Sequence, residues 1–205
     1  MEYEYPSYTR NSEEGPRIVV IGGGTGLSVL LRGLKKNSGL HISAIVTVAD
    51  DGGGSGMLRK DQGQNMGNLF IAALTDIYGD FELAVEKLHD ILRIKGKVVP
   101  VTSEDVTLCA RLKNGKIIRG ESKIPKAVSK MESPIEEVFL EPSGVQPLNS
   151  AVEAIMNADM IVLGPGSLYS SIIPNLLVGG ISDAIRSAGG MKVIVCNVMT
   201  QAGET

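Results

Sequence analysis

Aromatic residues are scarce in this sequence: there is no tryptophan, and aromatic residues make up 4% of the 205 residues. This scarcity disfavours a nucleic-acid surface built from stacking side chains and an aromatic sugar-binding face. Basic residues show no excess either, since 20 Lys and Arg stand against 23 Asp and Glu, for a net charge of −3. Such a chain has no overall positive field to attract nucleic acid or an anionic membrane. Any anion that the protein binds must be held by local groups.

Cysteine and long apolar stretches are also lacking. Cys109 and Cys196 lie far apart with no CxxC pair, and histidine does not cluster, so the sequence predicts reduced thiols and no structural zinc site. No apolar run approaches the roughly 18 residues of a membrane span, and the acidic N-terminus does not fit a signal peptide. We therefore expect a soluble, cytoplasmic protein.

Glycine, by contrast, is abundant: the chain has 25, and many of them follow predicted strands. Residues 17–21 form a short β-branched run typical of a strand buried in a parallel sheet, and this run stops at the glycine-rich residues 22–26. Leucines then recur at helical spacing as far as Leu34. Residues 42–49 predict a second strand. The pattern indicates a β-α-β unit, whose crossover is right-handed in a parallel sheet.

The alternation of strand and helix continues along the chain with one interruption. Residues 97–142 are rich in strand-forming segments around Asn114-Gly115, a dipeptide that strongly signals a hairpin. Residues 160–163 and 192–198 predict further strands of the main sheet. We therefore expect an α/β fold, a three-layer domain with a mostly parallel sheet, interrupted by a small β-rich insert at residues 97–142.

Ligands of open parallel sheets bind beyond the carboxyl ends of the strands, so the residues at those ends are candidate binding residues. At residues 22–26, glycines let the main chain approach a phosphate, which the free N–H groups of the following helix favour. The Walker pattern is absent, and Leu27 occupies the place of the third glycine of a GxGxxG motif. Phosphate or nucleotide binding is the favoured interpretation, and a plain tight turn is the alternative.

Three further strand ends carry polar groups. Asp50 and Asp51 follow the second strand, where a carboxylate would accept from a ribose hydroxyl or bind Mg²⁺; capping of the glycine turn by Asp51 is the alternative. Residues 164–167 (Gly-Pro-Gly-Ser) offer N–H groups and a hydroxyl to the same phosphate from the opposite side, or form a proline-stiffened turn. Asn197 adds an amide at the end of the last strand.

Several motifs along the chain resemble one family. They are IGGGTGLSVLLRGLK at 21–35, VADDGGGSG at 48–56, GNL at 67–69, GES at 120–122, IPK at 124–126, GPGSLY at 164–169, PNLLV at 174–178, CNVMTQ at 196–201 and GET at 203–205. From residue 17 to residue 205 the sequence resembles the YvcK branch of the CofD-like family, the gluconeogenesis factors of UPF0052 type. Any one motif alone is only a hypothesis, but so many in the family's order make the resemblance specific.

The resemblance implies a Rossmann-like nucleotide-binding domain over residues 17–205, after an N-terminal tail of residues 1–16. It implies a cytoplasmic regulator that binds a nucleotide-sugar such as a UDP-sugar, serves cell shape and wall synthesis during gluconeogenic growth, and has no firm catalytic activity. A Mg²⁺-dependent phospholactate transferase of the CofD type is the alternative. The implied nucleotide- or phosphate-binding residues, with Asp50 also a candidate metal ligand, are Gly22, Gly23, Gly24, Thr25, Gly26, Asp50, Asp51, Asn68, Gly164, Pro165, Gly166, Ser167 and Asn197.

The sequence departs from the family pattern in two places. Family members have a longer segment between Arg59 and Gly67, where only residues 60–66 intervene here, and they continue beyond Thr205. We therefore expect a site shortened between residues 59 and 67, with lower nucleotide affinity if the segment is truly absent. Consecutive Cα atoms about 3.8 Å apart throughout residues 59–67 would show that the chain is continuous here and that the longer segment is truly absent. The exposed β-rich insert is a candidate surface for association with a second copy.

Overall fold

A computed structural model describes residues 15–37, 39–49, 77–80, 83–84 and 96–200 of the chain. Within these residues the strands are β1 (Arg17–Gly22), β2 (His41–Val46), β3 (Lys97–Pro100), β4 (Thr107–Leu112), β5 (Ile117–Arg119), β6 (Ile135–Glu141), β7 (Met160–Leu163) and β8 (Met191–Ile194). The helices are α1 (Gly24–Leu34), α2 (Ile124–Met131), α3 (Asn149–Met156), α4 (Ile173–Leu176) and α5 (Ile181–Ser187). A 3-10 turn (Glu121–Lys123) precedes α2, and a π-helical turn (Leu168–Ile172) precedes α4.

The larger sheet has five parallel strands in the order β3-β2-β1-β7-β8. Side chains from both faces of β1 are buried, and Val20 and Ile21 are fully so. Burial on both faces is expected of a parallel sheet, since its crossover helices cover both sides. The predicted α/β fold with a mostly parallel sheet is therefore confirmed.

Successive residues of β1 point into two different core clusters. Val19 and Ile21 pack with α3 and α5, whereas Ile18 and Val20 pack with Leu27 of α1. This alternation follows from the two-residue period of a strand, which sends neighbouring side chains to opposite faces. Helices on both faces of one sheet give the three layers that the sequence predicts.

The smaller sheet is antiparallel, in the order β5-β4-β6. The predicted hairpin at Asn114-Gly115 joins β4 to β5: Gly115 has a φ of +83° and donates to the carbonyl of Leu112 at 2.8 Å. One face of this sheet enters the main core through residues such as Leu108 and Leu140. The small sheet thus packs on the domain instead of standing apart from it.

Three predicted elements differ in the structure. β3, grouped by sequence with the β-rich insert, pairs with β2 in the parallel sheet, so the antiparallel part begins only at Thr107. Helix α2 was not predicted. The last strand ends at Ile194 instead of residue 198. Elsewhere in the chain, Asp80 accepts the N–H of Leu83 at 2.7 Å, as a helix N-cap does.

In the part of the chain that the structure describes, no single helix has the length and apolarity that crossing a membrane requires. One bent pair, Leu168–Leu176 with Ile181–Ser187, passes on length and composition only when its two parts are taken together.

Candidate functional site

The order of the strands reverses between β1 and β7. The chain fills the large sheet from β1 outward to β3 and then returns past β1 to β7 and β8. α1, which follows β1, packs on one face of the sheet, and α5, which comes after β7, packs on the other. Because the two connections leave toward opposite faces, a crevice is expected beyond the carboxyl ends of β1 and β7, where open sheets of this kind bind ligands.

Both predicted glycine loops lie at this reversal point and touch each other. Ile21 of β1 is in register with Leu163 of β7, and the N–H of Gly164 donates to the carbonyl of Ile21 at 2.8 Å. A Cβ placed on Gly22 would lie 3.7 Å from the Cα of Gly164, and one on Gly26 would lie 3.1 Å from the carbonyl oxygen of Pro165. The structure therefore brings residues 22–26 and 164–167 together.

Close packing accounts for part of the glycine content of the two loops. A Cβ on Gly166 would lie 3.3 Å from the carbonyl oxygen of Gly23. Gly164 needs glycine on two counts, because its φ is +86° and an added Cβ would lie 2.8 Å from the carbonyl oxygen of Val195. Gly166 thus serves the contact between the two loops, and Gly164 serves the contact with the chain after β8, whatever ligand the loops then receive.

Helix α1 begins in the first loop with its N-terminal N–H groups free of side-chain capping. Gly23 is the N-cap residue in extended conformation, no side chain caps the helix, and the first turn carries no acidic residue. The first N–H groups of a helix have no intrahelical partner, and together with the helix dipole they favour an anion. This end of α1 can donate hydrogen bonds to a phosphate.

The second loop is held from two sides. The hydroxyl of Ser167 accepts the N–H of Ser170 at 3.3 Å and so caps the π-helical turn. The side-chain amide of Asn197 donates to the carbonyl of Gly166 at 3.1 Å, which ties the chain after β8 to the loop. These hydrogen bonds give Ser167 and Asn197 a structural role. Contacts of the two side chains with a ligand stay predictions.

The remaining predicted site residues, Asp50, Asp51 and Asn68, lie outside the described residues, as does the segment from Arg59 to Gly67. β2 lies directly beside β1, with Val46 in register with Gly22, so its carboxyl end shares the edge of the sheet with the two loops. Among the described residues, no three His, Cys, Asp or Glu side chains come together as a metal site requires. The metal-binding role of Asp50 stays a prediction.

The chemistry that the two loops offer is hydrogen-bond donation. Their sequences, Gly-Gly-Gly-Thr-Gly and Gly-Pro-Gly-Ser, contain main-chain N–H groups and two hydroxyls but no ionisable side chain. Such groups suit a phosphate or diphosphate held by amides, as in glycine-rich anion cradles. A general acid or base would have to come from another part of the chain.

One residue at the reversal point was missed in the sequence. Ser171, in the π-helical turn, lies against both loops, since its Cβ would be 3.5 Å from a Cβ on Gly23 and 3.2 Å from one on Gly166. The available signal was its spacing from the second loop: Ser171 is four residues after Ser167, about one helical turn.

The insert carries a locally basic patch, Arg119 with Lys123, Lys126 and Lys130, and an ion pair of Arg119 reduces its charge. Arg119 of β5 donates from Nε to Oε2 of Glu141 at 2.8 Å and from Nη2 to Oε1 at 3.0 Å. The lysines of the patch, Lys123, Lys126 and Lys130, are exposed, as expected of a solvated face.

The two cysteines are free and differ in environment. Cys109 of β4 is buried, and Cys196 is exposed. Burial, together with the negative charge of Glu141, raises the pKa of Cys109 to about 11. Its thiol therefore stays protonated at neutral pH, and since the thiolate is the reactive form, it is unsuited to be a nucleophile.

Comparison with known proteins places the chain among a defined set of relatives. The family described as 2-phospho-L-lactate transferase CofD matches residues 18–65 and 61–205. A gluconeogenesis-factor relative from Thermoanaerobacterium thermosulfurigenes is 51% identical over 93% of this chain and 70% of that protein, and the gluconeogenesis factor of Bacillus subtilis is 42% identical over 93% and 70%. The chain spans half the length of its Clostridium acetobutylicum relative, at 46% identity and with 94% of this chain covered.

The fold is shared with a solved relative. The crystal structure of a Bacillus halodurans protein superimposes with a TM-score of 0.85 at 43% identity, and the match covers 94% of this chain and 72% of that one. A second crystal structure with the same TM-score, at 42% identity and over the same shares of both chains, is described as a member of the UPF0052 family.

The match to the family model and the alignment with a relative both indicate that residues of the family are absent from this chain. The family match divides into two pieces that meet at residues 61–65. The alignment with the Thermoanaerobacterium protein spans 227 positions but uses 93% of the 205 residues, about 191, which leaves about 36 positions without a residue of this chain. The break falls in the stretch where the sequence motifs indicated a shortened segment.

Proposed function

This chain belongs to the CofD family, among the gluconeogenesis factors, and from that membership we propose that it binds a UDP-sugar where β1 and β7 end. The observation that carries the proposal is the contact between residues 22–26 and 164–167 at the point where the strand order reverses. Main-chain N–H groups from two sides of one crevice suit the two phosphates of a nucleotide-sugar.

In this proposal the first turn of α1 donates to one phosphate through its uncapped N–H groups. The loop of residues 164–167 donates to the diphosphate from the other side, and its position is fixed by the bond from Asn197 to Gly166. Asp50 and Asn68 would bind the ribose or a Mg²⁺ ion that accompanies the nucleotide. Backbone donors held in place before binding need little reorganisation, which favours affinity.

We infer a regulatory role for this binding, because the two loops carry donors for a phosphate but no ionisable side chain that could move a proton. A cytoplasmic protein of this kind would report the concentration of a cell-wall precursor. The proposed outcome is control of cell shape and wall synthesis during growth on gluconeogenic carbon sources.

The test is thermal unfolding of the whole chain with UDP-N-acetylglucosamine, UDP or GDP added, followed by calorimetry. A ligand that binds only the native state stabilises it by about 2.7 kcal/mol at 100 times its Kd, so the midpoint of unfolding should rise with UDP-N-acetylglucosamine. GDP serves as the matched control for base recognition. No change of the midpoint at millimolar ligand, together with no heat of binding, would refute the proposal.

A second candidate function is Mg²⁺-dependent phospholactate transfer, which the description of the matching family favours. Asp50 or Asp51 would then hold a Mg²⁺ ion that neutralises charge on the phosphates. Release of GMP from a guanosine-activated phospholactate donor, dependent on Mg²⁺, would support this function over pure binding. If the chain binds no nucleotide at all, a scaffold for protein partners becomes the better account.

A further inference from the structure

Ser171 contacts both glycine loops of the proposed site. Its Cβ and Oγ would each lie 3.5 Å from a Cβ on Gly23, and they would lie 3.2 Å and 3.6 Å from one on Gly166. The serine therefore occupies the space that these two glycines leave beside them. A small polar side chain therefore lies beside the main chain of both loops.

The turn that carries Ser171 has an uncommon geometry. The N–H of Ile172 donates to the carbonyl of Ser167, five residues back, as in a π-helix, whereas that of Ser171 donates to Ser167 with ordinary α-helical spacing. π-helical turns are rare and occur frequently at functional sites. Pro174 follows within the same segment and has no N–H to donate, so the hydrogen-bond pattern of the main chain is interrupted just after Ser171.

Asn175 fixes the main chain at Ser171. Its side-chain amide donates to the carbonyl of Ser171 at 2.8 Å, and the residue is fully buried. Its Oδ1 atom has no hydrogen-bond partner among the described residues. The bond from the Asn175 amide thus ties its side chain to the main chain of the turn that carries Ser171.

We propose that the hydroxyl of Ser171 donates a hydrogen bond to a phosphate oxygen of the bound nucleotide, and that Asn175 is the positioning residue that holds Ser171 for this contact. The inference rests on the proposed function, because it adds a side-chain donor to the main-chain donors of that site. A serine hydroxyl is a suitable donor, since bonds to charged oxygens are short and roughly twice as strong as neutral ones.

The first experiment compares Ser171→Ala with Ser170→Ala, which removes a hydroxyl from the same turn. Titration calorimetry with UDP-N-acetylglucosamine, UDP and pyrophosphate measures Kd for each variant. Ser171→Ala should raise Kd about tenfold for every probe that wild type binds, the size expected for losing one bond to a charged group. Ser170→Ala should stay within about twofold of wild type.

The outcomes separate the two proposals. If wild type binds a probe and Ser171→Ala binds it equally well, Ser171 only fills space between the loops and this inference is wrong, while the proposed function stands. If wild type binds none of the three probes, the proposed function fails and the inference fails with it.

The second experiment tests the positioning role of Asn175 by a double-mutant cycle. Asn175→Leu removes the donor and the acceptor while keeping the branched shape of the side chain, and it should weaken binding in the wild-type background. In the Ser171→Ala background it should have no further effect, because the hydroxyl that it positions is already gone. Additive losses would overturn the positioning role. If Asn175→Leu does not fold, the same cycle with Asn175→Ser decides the question.

Discussion

Gly26 and Gly33 lie on the same helix, α1, in different surroundings. A Cβ on Gly26 would lie 3.1 Å from the carbonyl oxygen of Pro165, whereas one on Gly33 would meet nothing within 4 Å. Alanine is a better helix former by about 0.5–1 kcal/mol, so Gly33→Ala should raise the free energy of unfolding by that amount. Gly26→Ala must push the two loops apart and should be about 1–2 kcal/mol less stable than Gly33→Ala.

Urea unfolding of both variants measures this difference, and titration with UDP-N-acetylglucosamine measures its effect on the site. Gly33→Ala should bind as wild type does, and Gly26→Ala should bind about fivefold more weakly, because separated loops no longer present their donors together. If Gly26→Ala and Gly33→Ala are stabilised equally and neither variant changes Kd, the contact between the loops has no part in binding.

The individual residues of the site were predictable to different extents. The glycines at positions 22–26 and 164–167 were found because bare glycine after a buried strand is a local pattern with a physical cause. Ser171 was missed although it lies one helical turn after Ser167, because that spacing is common in helical segments and does not by itself indicate a contact with the first loop. Asn175 has no comparable signal. The place of Ser171 beside both loops appears only in the structure, where the π-helical turn brings it against Gly23, which is far away in sequence, as well as Gly166.

At the scale of elements, an ion pair bridges the two outer strands of the small sheet across β4. Arg119 of β5 and Glu141 of β6 form two hydrogen bonds over the central strand. The bonds from Arg119 lower the pKa of Glu141 in the folded protein. A carboxylate with a lowered folded pKa stabilises the fold above its unfolded pKa, about 4.3, and this contribution is lost as pH falls through the folded pKa.

Urea unfolding at pH 7, 5, 4 and 3 therefore should show a pH-dependent difference between wild type and Glu141→Gln. Wild type should be the more stable at pH 7 and 5, and the difference should shrink below about pH 4. In the Arg119→Gln background, changing Glu141 to Gln should no longer alter the stability. The double variant should therefore be as stable as Glu141→Gln alone. A difference that persists unchanged to pH 3 would show that the ion pair is not its source.

The elements themselves were predictable where local chemistry decides them. β1 and the hairpin at Asn114-Gly115 follow from a β-branched run and from a turn that needs positive φ. β3 was predicted as a strand but assigned to the wrong group, because its partner, β2, lies about 50 residues earlier and short apolar runs look alike in either sheet. Helix α2 was missed although Ile124, Val128 and Met131 have helical spacing, because this short helix lies within residues 97–142, which were interpreted as β-rich throughout.

At the scale of the whole molecule, the site exists because the strand order reverses. The sequence gives no direct record of that order, but the rule that parallel sheets bind ligands at their carboxyl edge brought two loops, more than 130 residues apart, into one hypothesis. The contact between those loops meets the geometric condition of the hypothesis.

The shortened stretch gives the last prediction. About 36 aligned positions of the Thermoanaerobacterium relative have no residue here, and the family match breaks at residues 61–65, between the predicted site residues Asp51 and Asn68. If the longer segment of the relatives supplies contacts to the nucleotide, this chain should bind more weakly than they do. Replacing residues 60–66 with the corresponding segment of the Bacillus subtilis gluconeogenesis factor should then lower Kd for UDP-N-acetylglucosamine at least about tenfold, the effect of one or two added hydrogen bonds.

The matched control is a chain with a Gly/Ser segment of the same length at the same place. A flexible segment adds length but no specific contacts, and loop extension alone changes stability only slightly, so its Kd should equal that of the unaltered chain. Calorimetry on the three proteins decides the question. Should the native chain already bind as tightly as the chimera, the missing segment would have no role in binding, and the two glycine loops with Ser171 would have to account for the affinity by themselves.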